Sequence, residues 1–288
     1  MLVLKVDGSF SDAALPTLRR DPLLYGAGDG VRFLFDAAFP FSYAGGVPTN
    51  GVAIKDVAER SNGSFVLAAG ETVGFNGNGF DFALMTAVSG QSPSHVLAPA
   101  SVWADIAAQQ YFLLCMYMRL PAQADWNAEA SILPFFASSN NSNGYNAVAD
   151  PITVAFSTGS KSIGFRRQTA VGAQVDTGVI PAAGHYGQVV QVAYWRNAAG
   201  VGARIKGSAG AILTTGAVGA ANAADITACQ PRFGSVQPFT NYAMATHRTC
   251  RKYRMYRGFI ENLARSGRDP VAVLDADYER TAARGVFA

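Results

Sequence analysis

The sequence predicts an all-β fold: an antiparallel β-sandwich preceded by an extended N-terminal arm and closed by a short C-terminal helix. Two observations carry this. From Val31 onward the chain is written as short apolar runs separated by Gly, Asn, Ser and Pro, the pattern of a sandwich with many turns. Against about a dozen such runs there is one convincing helix, after Asp269, which argues against α/β layering.

Residues 1–30 differ from the rest. Pro16, Pro22 and the glycines at 26, 28 and 30 break any long element, so this stretch reads as an arm that buries little on its own domain. Leu15, Leu18, Leu23, Leu24 and Tyr25 are the residues expected to dock it on a partner. The domain proper is expected over 31–288, with strands near 31–35, 52–57, 65–68, 80–85, 110–119, 132–138, 152–157, 162–168, 187–196, 202–206, 228–233 and 252–260. The run Phe112 to Met118 is so uniformly apolar that both faces of its strand should be covered. QVVQVAYW, at 188–195, mixes β-branched and aromatic residues and belongs in mid-sheet, with Trp195 in the core. In RKYRMYRGF, alternation places Tyr253, Met255 and Arg257 on one face and Arg254, Tyr256 and Gly258 on the other. Asp269 then suits a helix N-cap, Pro270 its first turn, and Val271, Val273 and Leu274 its apolar face.

Tyr/Arg-rich strand text leading into ENLARSGRDP resembles the closing segment of concanavalin A-like (LamG-type) jelly rolls of the kind found on bacteriophage tail and fibre structural proteins. NGVAIKDVAERSNGSFVLAAGETVGFNGNGFDF resembles the opening of such a domain. QQYFLLCMYMRLP resembles its long buried strand, and HYGQVVQVAYWRNAAGVGARIKG the strand pair in which a Trp precedes a turn. Together these pieces cover roughly residues 31–268. The resemblance implies a jelly-roll sandwich and a place in a virion; it identifies no chemical site.

Composition narrows the function classes. Hydrophobic residues make up 49% and charged residues 15%, so part of the surface is expected to be covered by partners. A net charge of +3 is too small and too dispersed for a nucleic-acid groove. The dense basic run at 247–257 splits between two strand faces, and a solvated or subunit-facing strand is its expected setting. No stretch approaches the roughly 18 apolar residues of a membrane span, and the first residues lack the apolar core of a signal peptide, so synthesis in a bacterial host cytoplasm is expected. Three cysteines cannot all pair within one chain, and Cys115 lies in an apolar run as a buried thiol would.

The chemistry-bearing residues do not converge. The laminarinase relatives of the resembled fold carry paired acids on one strand, and no such phrase occurs here. The acid groups Asp125 with Glu129, and Asp275, Asp277 and Glu279, read as solvated surface. His95, His185 and His247 sit apart, as turn or surface residues, with no metal-ligand spacing. GFNGNG, at 74–79, lacks the context of a phosphate cradle and reads as a glycine turn. The loop at 138–150 offers Asn140, Asn141, Asn143, Asn146, Asp150 and Tyr145: amides for sugar hydroxyls and a ring for stacking, although Asn/Ser/Gly clusters also write ordinary loops. Trp126, after Pro121 and between polar neighbours, is the most exposed tryptophan expected. The glycan-binding candidates are therefore Asn140, Asn141, Asn143, Tyr145 and Trp126. Relatives of the resembled fold often hold Ca²⁺ beside sugars, but one carboxylate in this loop is few for a divalent cation, and no cofactor is expected.

The resulting expectation is a non-enzymatic virion structural protein, such as a tail-fibre, baseplate or receptor-binding component. Its expected partners are other virion proteins through the arm, further copies of itself in a homo-oligomer, and a host-surface polysaccharide, with neither nucleic acid nor membrane insertion. A carbohydrate-active enzyme or lectin of the same fold is the alternative.

Overall fold

The computed structural model describes residues 21–85, 94–128, 132–138, 148–236 and 250–288. Sixteen strands run in chain order: β1 (Val31–Asp36), β2 (Ala53–Ile54), β3 (Gly63–Val66), β4 (Gly74–Asn76), β5 (Gly79–Asp81), β6 (Ser94–Leu97), β7 (Phe112–Arg119), β8 (Ile132–Ala137), β9 (Thr153–Ser157), β10 (Ser162–Ala170), β11 (Ala173–Pro181), β12 (Val189–Asn197), β13 (Gly200–Gly207), β14 (Gly210–Gly216), β15 (Arg232–Ser235) and β16 (Arg254–Asn262). Helices α1 (Ser101–Ile106), α2 (Gln123–Ala128), α3 (Leu263–Ser266) and α4 (Pro270–Ala283) complete the described fold.

The strands form two eight-stranded antiparallel sheets. One has the order β14-β13-β12-β7-β16-β5-β4, with β1 also paired to β16; the other has the order β11-β10-β9-β8-β15-β6-β3-β2. Between them lies a core rich in phenylalanine, including Phe33, Phe35, Phe65, Phe80, Phe156 and Phe233. A second apolar layer lies on the outer face of the first sheet, where Leu113, Cys115, Tyr117, Trp195, Tyr256 and Phe259 pack under Leu23, Leu263, Val273 and Leu274. Strand β7 shows why its sequence is apolar throughout: Leu114, Met116 and Met118 enter the inner core while Leu113, Cys115 and Tyr117 enter the outer layer. The expected core position of Trp195 and burial of Cys115 hold.

Helix α4 begins as its sequence dictates. Asp269 caps it by accepting from the Ala272 amide at 2.8 Å, and Pro270 occupies the first turn. Its buried face uses Val273 and Leu274, and also Asp277.

Several expectations are corrected. A register shift between Met255 and Arg257 places Met255 in the inner core while Tyr256 joins the outer layer and Arg257 reaches α4 on that same side. The bulge thus breaks the alternation that would have grouped Arg257 with Met255. Strand β16 is not a solvated basic strand either, because it lies between β7 and β1/β5 and buries Arg257 to 1% exposure. Residues 21–30 are not an arm: the turn Pro22–Leu24 is capped by Asp21, and Leu23 and Ala27 are buried in the outer layer. His95 and His185 are buried instead of superficial, and so is Asp277. Strands β4, β6, β11 and β14 and helices α1 and α2 were not expected.

Candidate functional site

A built polar region lies at one end of the sandwich, where β8 ends and β9 begins, β10 ends, β12 ends and β14 ends. It forms the base of the loop at 138–150. Gln168, at the end of β10, ties that base together: its Oε1 accepts from the Asp150 amide at 2.7 Å, and its own amide donates to the Asp150 carbonyl at 3.3 Å. The same Oε1 lies 3.5 Å from Asn222 Nδ2, which joins the 148–150 segment to the connection between β14 and β15. Asn222 is paired on its other side with Gln110, which accepts from the Asn222 amide at 2.6 Å and donates to its carbonyl at 2.9 Å.

Asp150 is buried. Its Oδ2 accepts from the Thr153 hydroxyl at 2.6 Å, while Oδ1 and the neighbouring Ser138 Oγ have no partner among the described residues. Desolvation pushes the Asp150 carboxyl up to about 7 against the opposing pull of Thr153, the Ser138 and Ile152 amides and the Arg232 charge. This acid therefore exchanges its proton near neutrality.

Two buried arginines clamp the connection after β14. Arg167, on β10, donates to the carbonyls of Ala220 at 2.5 Å and Val218 at 3.3 Å. Arg196, on β12, donates to Val218 at 3.2 Å, Gly219 at 3.1 Å, Gln109 at 2.8 Å and Gln110 at 3.2 Å, and its guanidinium lies over the Tyr111 ring at 5.3 Å. Burial lowers the Arg196 pKa, and the like charge of Arg167 lowers it further. Every acceptor found for these two guanidiniums among the described residues is a backbone carbonyl.

A second region lies on the outer face of the first sheet. An open groove of about 390 Å³ runs between the 22–25 turn and α4, lined by Pro22, Tyr25, Arg268, Ala272, Val273 and Arg280 among others. Beneath the helix, Arg257 meets three carboxylates: Asp21 at 2.7 Å, Asp277 at 3.1 Å and Asp36 at 3.2 Å. Burial opposes its charge, but the three carboxylates outweigh that and raise its pKa. Arg284 adds a further contact to Asp36. Tyr117 donates to Asp277 at 2.8 Å and accepts from Gln191 at 2.8 Å, and Arg204 and Lys206 meet Asp275 at 2.9 and 2.7 Å.

Of the residues singled out from sequence, Asn140, Asn141, Asn143, Tyr145, Leu15 and Leu18 lie outside the described residues. Trp126 is corrected: it is 2% exposed, its indole donates to the Pro121 carbonyl at 3.2 Å, and its ring packs on Phe156 and Tyr186 at the opposite end of the sandwich. A tryptophan flanked by polar residues is still drawn inward where a short helix such as α2 turns its ring onto the core. Among the docking residues Leu23 is buried in its own domain, Leu24 is half-buried, and Tyr25 is 62% exposed beside the groove. Sequence reasoning missed Arg167, Gln168 and Asn222; their partners are distant in sequence and for the most part backbone atoms, which no local pattern encodes.

Two antiparallel sheets packed face to face, with the early strand β1 paired to the late strand β16, make this chain a two-sheet antiparallel β-sandwich. No family model and no curated protein matches it. Among solved structures it is similar to lectin II from Ulex europaeus, at 14% identity over 68% of this chain and 92% of that one, with a TM-score of 0.39. It is also similar to tailspike protein 2 from Escherichia coli O157:H7 bacteriophage CAB120, at 13% identity over 74% of this chain and 26% of that one, with a TM-score of 0.39. A third is a carbohydrate esterase from Shiga toxin-encoding bacteriophage phi24B, at 10% identity over 81% of this chain and 99% of that one, with a TM-score of 0.38. Identities and TM-scores this low leave function to be argued from the chain's own residues.

Proposed function

We propose that this chain is a non-enzymatic structural subunit of a tailed phage or prophage particle: a tail-fibre, baseplate or receptor-binding component that works as a homo-oligomer and contacts a host-surface glycan. The observation that carries the reading is a division between two regions. The outer face of the first sheet is occupied by residues 21–30 and α4, beside a groove with an exposed Tyr25. The loop-bearing end, by contrast, is braced from beneath by Gln168, Asn222, Arg167 and Arg196. Such an arrangement suits attachment by one surface and contact by the other. The acidic side chains also favour a binding role: Asp21, Asp36, Asp275, Asp277 and Glu261 are all engaged in ion pairs that hold the fold. The phage attribution itself rests on the resemblance of the closing strand and helix.

Asp150 favours the second reading, a carbohydrate-active enzyme of the same fold, because a buried carboxyl that keeps its proton near pH 7 has the property of a general acid. Glycoside cleavage would need a second carboxylate across the sugar bond.

The deciding experiment measures the mass in solution of the full chain and of a form lacking residues 1–20, and probes both on a glycan array with and without Asp150→Asn. A defined oligomer that depends on residues 1–20, with intact glycan retention by Asp150→Asn and no released sugar, is the expected result. A monomer that binds nothing in either form overturns it, and sugar release abolished by Asp150→Asn moves the assignment to the enzyme.

A further inference from the structure

We infer that the segment at 218–221 is a binding site for an oxyanion, the carboxylate or phosphate group of an acidic polymer; this deepens the surface-contact reading above and rests on it. The argument starts from the three consecutive carbonyls of Val218, Gly219 and Ala220, which all point to the buried guanidiniums of Arg167 and Arg196. None of the described peptide bonds is cis. In a trans peptide the carbonyl and the next amide N–H point in opposite directions. The N–H groups of Gly219, Ala220 and Ala221 therefore point away from the guanidiniums, and all three residues are exposed. None of the three N–H groups has a hydrogen-bond acceptor among the described residues. Gly219 sits at φ +59°, and a Cβ there would come within 2.5 Å of Arg167 Nη2, so the segment is shaped to lie close over the arginine.

Successive amides presented on one side of a turn with a left-handed residue form a concavity that takes anions. The electrostatics behind it have the matching sign. Arg167 and Arg196 are both 5% exposed, they repel each other, and their described bonds end on neutral carbonyls. Arg167 Nε is buried with no partner at all among the described residues. Two buried cations without a carboxylate between them leave positive potential that is only partly offset by carbonyl dipoles, and a low-dielectric setting lengthens its reach. The exposed amides are where that potential meets solvent. The side chains at 219–221 are a hydrogen and two methyl groups, so these three residues offer no bulk of their own against the approach of a polymer.

The test is calorimetric titration of the full chain, at fixed ionic strength, with inorganic phosphate, with polygalacturonate and with neutral dextran. Ala221→Glu places a like charge on the exposed rim without touching either arginine; Ala124→Glu on α2, at the far end of the sandwich, is its control. Saturable binding of phosphate and polygalacturonate is expected. Ala221→Glu should weaken it at least about tenfold, the equivalent of roughly 1.4 kcal/mol, and Ala124→Glu should leave it unchanged. Phosphate binding without polygalacturonate binding still supports the site and identifies phosphate-bearing polymers as its source. Absence of saturable binding for both anions, or binding that Ala221→Glu does not diminish, overturns the inference. If neither anion binds but dextran does, and Ala221→Glu leaves dextran binding unchanged, the oxyanion site is overturned while the glycan-contact proposal stays in place.

Discussion

Arg257 is the residue on which the outer layer turns, because it touches the 21–30 segment, β1 and α4 at once through Asp21, Asp36 and Asp277. Removing one member of a buried charge network strands the others, so Arg257→Ala should cost roughly 3–5 kcal/mol in urea unfolding, while exposed Arg265→Ala should cost under about 1. Two other buried groups tilt the pH dependence in opposite senses. Asp150 keeps its proton in the folded state up to about pH 7 but loses it near 3.8 when unfolded, so its contribution to stability falls as pH rises through that window. His95 is held neutral down to about pH 3 by burial and then by the Arg232 charge, against 6.5 unfolded, so stability falls as pH drops below 6.5. In the wild type the two slopes partly cancel between about pH 4 and 6.5. Asp150→Asn should therefore steepen the loss of stability toward acid, and His95→Gln should reverse it; unchanged unfolding midpoints across pH for both variants would refute this. None of these burials was legible in the sequence. Asp277 sits in an acid-rich helix that reads as solvated, and only the bulge in β16 turns Arg257 toward it.

At the scale of elements, legibility followed the strength of the local signal. Helix α4 announces itself through Asp269, Pro270 and its apolar face, and Asp269→Ala should destabilise the protein by about 1 kcal/mol through loss of the cap. Strand β7 was equally legible, since both of its sides are buried. Strand β14 was not, because it is an exposed edge whose residues carry no apolar alternation, and β6 is four residues that begin Ser-His. Their strand character comes from the neighbours they pair with, β13 for the one and β15 and β3 for the other. The two sheets also approach closely at a point that composition cannot reveal. A Cβ on Gly258 of β16 would fall 2.6 Å from the Phe35 ring and 2.9 Å from Phe233, so Gly258→Ala should cost about 1–3 kcal/mol by overpacking, read as a lowered thermal midpoint.

For the molecule as a whole, the sandwich and its closing helix could be read from the chain, whereas the place of residues 21–30 in the outer layer could not. Pro22 and the nearby glycines look like the grammar of a linker, yet Leu23, Ala27 and the Asp21 carboxylate are integral to the outer layer. A form lacking residues 1–30 should have a thermal midpoint several degrees below that of a form lacking residues 1–20, since it forfeits in addition a buried leucine and one arm of the Arg257 network. The candidate site was half legible: its Asn-rich loop is conspicuous in the sequence, but the arginines and amides that brace its surroundings are assembled from strands far apart.

The pairing of β1 with β16, which joins Val31 to Glu261, has a consequence for biosynthesis. A growing polypeptide has to hold its earliest strand unpaired along that edge until some 230 further residues have left the ribosome, and the Asp21 carboxylate waits longer still, for Arg257 and Asp277. A prematurely terminated product could not lock the entry segment down. Chains cut short before β16 would lack both the pairing partner of β1 and Arg257, so a seated outer layer reports that synthesis has passed β16 and α4.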